Sequence, residues 1–222
     1  MGGGYLSLWK TFQISSNKTF IQNPVDLHRN IYFFADVQHL IKLFRNHFLD
    51  QGYVLNNKHI NKTCIEMLLS KSGEINITHK ISSCHLDVKG PQHQKVKTSV
   101  QLISTSVSQA LKFTGVKGII TDNWEETSEL IKMLNEWFDL FNSKSMYGKQ
   151  SRNNDFGVNA EIQINFLNTV TDVIENMRAT GKKSKLPFQN GTIICNNSLI
   201  GLYNELKSKF HIEYIITSRI NQ

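Results

Sequence analysis

The segment FFADVQHLIKLFRNH, residues 33–47, is the most informative part of the chain for its fold. An apolar run at residues 31–34 ends at Asp36, which suits a short buried strand. Beyond it, residues that can line one face recur at the spacing of a helix: Leu40, Leu43, Phe44 and His47. The stretch therefore predicts a strand that leads directly into a helix.

The rest of the chain is dominated by helical periodicity. Apolar residues recur near the helical period at residues 61–70, 95–113, 124–142, 162–177 and 199–210. We also expect a short helix at 6–12, an exposed loop at 143–159 and a short strand at 214–217. The predicted fold class is mainly α.

Composition limits the class of protein. A chain of 222 residues with 40% hydrophobic content can bury a packed core. No apolar run is long enough to span a bilayer and the first residues lack the layout of a signal peptide, so we expect no membrane partner. The three widely spaced cysteines, Cys64, Cys84 and Cys195, indicate reduced thiols in the nucleus or cytosol.

The charge is compatible with a nucleic-acid or phosphate partner without specifying one. The formal net charge is +7, which produces nonspecific attraction to polyanions. Two basic clusters could contact a DNA backbone: Lys42 and Arg45 beside Asn46, and Lys182, Lys183 and Lys185. A solvated surface is the simpler interpretation of each cluster.

Two apparent motifs do not carry a function. GKKS at residues 181–184 resembles part of a P-loop, but Asn176 stands where the first glycine is required and Lys183 separates the lysine from the serine. His79, Cys84, His85 and Asp87 lack the second ligand pair of a zinc finger. We therefore expect neither a P-loop nor a metal site.

Five segments, in this order, resemble the P-element transposase family: residues 33–47, 94–104, 134–144, 186–191 and 214–222. The resemblance implies a helical GTP-binding insertion domain, flanked by short strand pieces of an α/β RNase H-like domain. It places a partial RNase H-like segment at 1–36, the insertion at 37–213 and the start of the returning RNase H-like segment at 214–222.

The same resemblance implies that this stretch of chain holds no catalytic residue. The family's second catalytic aspartate would precede Met1, and its third acid would follow Gln222 in an Asp-x-x-Glu motif. The first acid and the DNA-binding THAP zinc finger lie farther upstream in the family. We therefore expect no DNA cleavage by these residues alone.

A guanine site needs one group that accepts hydrogen bonds from both N1–H and the N2 amino group, and a carboxylate does this. The family resemblance assigns Asp139 to the guanine edge, Phe138 to stacking on the base and Asn135 to a supporting polar contact. Such a site rejects the wrong base because that base leaves the carboxylate without its partners. Helical spacing by itself indicates core packing for the aromatic residues, and we assign Trp137 and Phe141 to the core.

The resemblance also implies the phosphate contacts, which require positive charge and backbone donors. It assigns Lys80 and Lys95 to the nucleotide, Val96 to a backbone contact and Ser104 to a hydroxyl contact farther along the predicted helix. Lys95 at the start of that helix would add the positive end of the helix dipole. Glu74 stands where the family has an aspartate near the nucleotide, which keeps the charge on a longer arm.

These implications define the expected function. The chain would bind GTP as an assembly cofactor without efficient hydrolysis, and whether magnesium accompanies GTP stays open. Transposon-end DNA and other transposase subunits would be partners of the parent protein in the nucleus. The alternative is a transposon-derived fragment that binds nucleic acid nonspecifically, which would show salt-dependent binding indifferent to GTP.

Overall fold

A computed structural model describes residues 8–71, 81–88, 90–145 and 154–220 of the chain. Within these residues the fold is mainly helical, as predicted, with seven α-helices. They are α1 (Val37–Asp50), α2 (Thr63–Lys71), α3 (Val96–Leu102), α4 (Thr105–Val116), α5 (Trp124–Phe141), α6 (Ala160–Asn176) and α7 (Pro187–Phe210). Residues 8–11 form one further helical turn.

The strands are short and form two antiparallel sheets. They are β1 (Phe20–Gln22), β2 (Asn30–Tyr32), β3 (Tyr53–Leu55), β4 (Lys58–Ile60) and β5 (Arg178–Ala179). One sheet pairs β1 with β2, with Ile21 opposite Ile31, and the other has the order β4-β3-β5. The predicted strand at 31–34 is therefore present but ends at Tyr32, and it leads into α1 as expected.

The strand predicted at 214–217 is wrong. Ile215 forms a single bridge with Phe156, and Thr217–Arg219 is a 3₁₀ turn. The buried Thr217 hydroxyl donates to the Leu140 carbonyl and accepts the Ser143 N–H at 3.2 Å. These contacts bend the chain where a strand would continue. Of the loop predicted at 143–159, residues 146–153 lie outside the described residues.

The helix predicted at 95–113 is broken into α3 and α4. Ile103 leaves helical geometry with φ −93° and ψ 70°, and Ser104 is extended at the N-cap of α4. The Ser104 side chain accepts the Val107 N–H at 3.4 Å, and serine is among the preferred N-cap residues. A local cap therefore overrides the continuous periodicity.

One compact unit combines Met1–Leu40, Asp139–Ile174 and Pro187–Gln222. Helix α7 crosses its core, and its buried polar side chains bind neighbouring backbone: Gln189 Nε2 donates to the Ile174 carbonyl at 3.0 Å, and Asn196 Nδ2 to that of Leu167 at 3.2 Å. A Cβ on Gly191 would lie 2.6 Å from Leu40 Cδ2, so glycine permits this close approach.

The second compact unit combines Ile41–Phe138 and Glu175–Leu186. Phe44 of α1 stacks on Tyr53 of β3 with ring centroids 5.1 Å apart, and the Tyr53 hydroxyl donates to the Phe44 carbonyl at 3.2 Å. The β3–β4 turn has positive φ at both Asn56 and Asn57, which is the geometry of tight hairpin turns. This hairpin, absent from the sequence predictions, gives α1 an aromatic surface to pack on.

Candidate functional site

Helix α5 carries three of the predicted base-binding residues on one continuous part of its surface. Asn135, Phe138 and Asp139 are each half-buried, and at 3.6 residues per turn they span an arc of about 100° with Asn135 in the middle. The helix therefore presents an amide, an aromatic ring and a carboxylate side by side.

The opposite arc of α5 belongs to the core. Leu134, Trp137, Leu140 and Phe141 are each at most 1% exposed. The prediction that Trp137 and Phe141 are core residues is confirmed. Because these large side chains fix the rotation of the helix, the arc with Asn135, Phe138 and Asp139 has a defined direction.

A hydrogen bond connects this arc to the start of α4. Asn135 Nδ2 donates to the Thr105 hydroxyl at 3.2 Å. Thr105 directly follows Ser104, another predicted contact residue, which is half-buried at the N-cap. The structure thus brings Asn135 next to the segment that holds Ser104. Accepting the Val107 N–H leaves the Ser104 hydroxyl hydrogen able to donate to a ligand.

Lys95 and Val96 lie at the other end of α3. Lys95 is exposed and extended at the N-cap, and Val96 is the first residue of the helix. The Lys95 carbonyl accepts the Thr98 hydroxyl at 3.0 Å and the Ser99 hydroxyl at 3.2 Å. Since α3 has seven residues, about 10 Å of helix separates Lys95 from Ser104. The predicted helix dipole at Lys95 is correspondingly that of a short helix.

Glu74 and Lys80, the remaining predicted contact residues, lie outside the described residues. The described residues that follow that gap include a small polar cluster. Cys84 Sγ lies 3.6 Å from His85 Nδ1, and His85 Nε2 lies 3.2 Å from Gln101 Oε1. Across the described residues, groups of three or more potential metal ligands do not occur.

The first basic cluster is not a continuous exposed patch. Arg45 is fully buried, and Lys42 Nζ donates to Gln94 Oε1 at 2.8 Å. The idea that Arg45 contacts a DNA backbone is therefore wrong, because its guanidinium faces protein. Lys182 and Lys183 in the second cluster are exposed.

Among the helices of the described ranges, none is long and apolar enough to cross a membrane.

Sequence reasoning missed Thr105 and Arg45. The signal for Thr105 was present, since a serine–threonine pair interrupts the periodicity of the predicted helix at the position where Ser104 caps α4. Arg45 carried no local signal. Its position on the polar side of a helix is typical of a solvated residue, and only tertiary packing buries it.

Comparison with known proteins places this geometry in context. The family described as TNP-like, GTP-binding insertion domain matches residues 38–154. The transposable element P transposase of Drosophila melanogaster is 36% identical over 225 residues, covering 100% of this chain and 30% of that protein. The human DNA transposase THAP9 is 28% identical over 135 residues, covering 60% of this chain and 15% of that protein.

A solved structure, the Drosophila P element transposase strand transfer complex, matches the whole chain with a TM-score of 0.93 at 36% identity. The match covers 100% of this chain and 50% of that one. The chain thus spans less than a third of the length of either curated relative.

Proposed function

The chain belongs to the P-element transposase family and contains its TNP-like GTP-binding insertion domain, and from this membership we propose that it binds GTP. The observation that carries the proposal is the arc of α5, where Asn135 lies between Phe138 and Asp139. A carboxylate for the guanine edge, a ring for stacking and an amide for support are the groups that base recognition requires.

The two ends of α3 suit an elongated ligand. Asn135 contacts the start of α4 beside Ser104, whereas Lys95 and Val96 lie about 10 Å away at the far end of α3. We propose that the base binds at the first end and the phosphates at the second. Lys80 and Glu74 complete the proposed set from the segment before α3.

In the parent transposase, we propose that GTP is an assembly cofactor that is bound without efficient hydrolysis. Other subunits, transposon-end DNA and a nuclear location belong to the same proposal. The neighbouring structure is described as a strand transfer complex, which supports an assembly that includes DNA. The proposed insertion runs from 37 to 213, between RNase H-like segments at 1–36 and 214–222.

Calorimetric titration of the purified chain with GTP and ATP, each with and without magnesium, tests this function. We expect saturable GTP binding, at least tenfold tighter than ATP binding, and phosphate release no faster than in buffer. The magnesium arm decides whether the metal accompanies the nucleotide. If the folded chain bound neither nucleotide but bound DNA in a salt-dependent way, the nonspecific nucleic-acid interpretation would replace the proposal.

A further inference from the structure

Arg45 is a fully buried arginine on α1 that binds the backbone just before α3. Its Nη2 donates to the His93 carbonyl at 3.3 Å and to the Lys95 carbonyl at 3.5 Å. Its Nη1 donates to the Thr98 hydroxyl at 3.3 Å. The rigid fork of one guanidinium thus reaches three residues of a single short segment.

Neighbouring residues on the same face of α1 hold the same segment. Lys42 Nζ donates to Gln94 Oε1 at 2.8 Å, and Asn46 Nδ2 donates to the His93 carbonyl at 3.4 Å. Residues 42, 45 and 46 are neighbours on a helical surface because of their three- and four-residue spacing. The face of α1 therefore contacts residues 93, 94, 95 and 98 together.

Burial of a charged guanidinium costs free energy because the group loses its water. Hydrogen bonds with well-placed acceptors must offset that cost. Burial lowers the pKa of Arg45 from its ordinary value, and the Asp50 carboxylate offsets part of that shift. Arginine nevertheless keeps its charge in proteins. A charged group among carbonyl acceptors defines where those carbonyls lie more strictly than apolar packing does.

We propose that Arg45 is a positioning residue for the triphosphate of GTP, an inference that rests on the proposed function. By fixing the carbonyls of His93 and Lys95, it sets where the Lys95 ammonium and the Val96 N–H meet the phosphates. Arg45 is too deeply buried to touch the nucleotide, so it acts through this segment. The guanine end of the ligand does not depend on it.

The test compares GTP with guanosine, which has the same base but no phosphates, and uses ATP to follow the base preference. Arg45→Lys keeps the positive charge but loses the fork, and the full chain is titrated with GTP, ATP and guanosine. We expect the affinity for GTP to fall roughly tenfold, as for the loss of one charge-assisted contact. The affinity for guanosine and the preference for GTP over ATP should stay at wild-type values.

A second pair of variants tests the same contact if Arg45→Lys fails to fold. Thr98→Val removes the hydroxyl that accepts Nη1, and Thr98→Ser keeps it as the matched control. We expect roughly a threefold loss of GTP affinity in the valine variant and wild-type affinity in the serine variant.

Three outcomes would overturn the inference. Equal losses for GTP and guanosine would show a general structural role, and unchanged GTP binding in Arg45→Lys and Thr98→Val would show none. In both cases the wild-type chain still binds GTP, so the proposed function would stand while this inference fails. If the wild-type chain bound no GTP, the proposed function would fail and this inference with it.

Discussion

Replacing Asp139 by asparagine should move the base preference of the chain from GTP towards xanthosine triphosphate. A carboxylate can accept hydrogen bonds from both N1–H and the N2 amino group of guanine, which is the role proposed for Asp139. In xanthine a carbonyl oxygen replaces that amino group, so an asparagine amide can accept from N1–H and donate to the new oxygen. Asp139 lies on the helical arc beside Asn135 and Phe138, where such an exchange leaves stacking unchanged.

The expected magnitude follows from the environment of the carboxylate. A hydrogen bond to a charged group contributes about 1.5 to 3 kcal/mol, and Asp139 is half-buried, so solvent screening favours the lower value. A loss of about 1.5 kcal/mol weakens GTP binding roughly tenfold. Binding of the xanthine nucleotide should improve, because the unfavourable contact between its oxygen and the carboxylate is removed.

Calorimetry on the wild type, Asp139→Asn and a matched control decides the matter. Glu129→Gln is the control, because Glu129 is exposed on the same helix α5, about 15 Å before Asp139 along its axis. The control should keep wild-type affinities for both nucleotides. If folded Asp139→Asn kept its preference for GTP over xanthosine triphosphate, or lost both equally, Asp139 would not contact the base.

Two further predictions concern packing and thiol chemistry. Gly115→Ala should lower the midpoint of chemical unfolding, because the alanine methyl would lie 2.0 Å from the Trp124 ring. Overpacking costs about 1–3 kcal/mol, which exceeds the gain of about 1 kcal/mol from the helix propensity of alanine. In a Trp124→Ala background the same change should be neutral or stabilising, and a higher midpoint for Gly115→Ala in the wild type would contradict the prediction. At about pH 8, mass spectrometry should show rapid alkylation of the exposed Cys84 alone. Burial raises the pKa of Cys64 to about 11 and the pKa of Cys195 to about 12, so both buried thiols stay protonated. Labelling of Cys195 alongside Cys84 in the native protein would refute this prediction.

Helices with a clear apolar side could be predicted from local sequence. The segments 61–70, 124–142 and 162–177 correspond to Thr63–Lys71, Trp124–Phe141 and Ala160–Asn176 within a few residues. In α5 the predicted core residues Trp137 and Phe141 are buried. Periodicity works here because one face packs while the other meets solvent.

Helix α7 shows where this reasoning stops. The predicted helix at 199–210 begins twelve residues earlier, at Pro187, a residue suited to the first helical position. Its first half buries polar side chains such as Gln189 and Asn196 alongside apolar ones, so no amphipathic pattern marks it. These amides are satisfied by carbonyls of α6, and that pairing depends on tertiary contacts rather than on neighbouring residues.

In the candidate site, too, one part can be predicted from helical periodicity and the other depends on tertiary contacts. The proposed base-binding arc of α5 follows from helical geometry, because burial of Trp137 determines which way Asn135 and Phe138 face. The proposed phosphate end includes the segment that Arg45 contacts. The spacing of Arg45 on α1 is typical of a solvated residue, and only its contacts with His93 and Thr98 reveal its buried position. Base selectivity should therefore tolerate changes in α1 that weaken phosphate binding. Measuring GTP, ATP and guanosine on one set of variants would separate the two contributions, because we expect each variant to act on one end of the proposed site only.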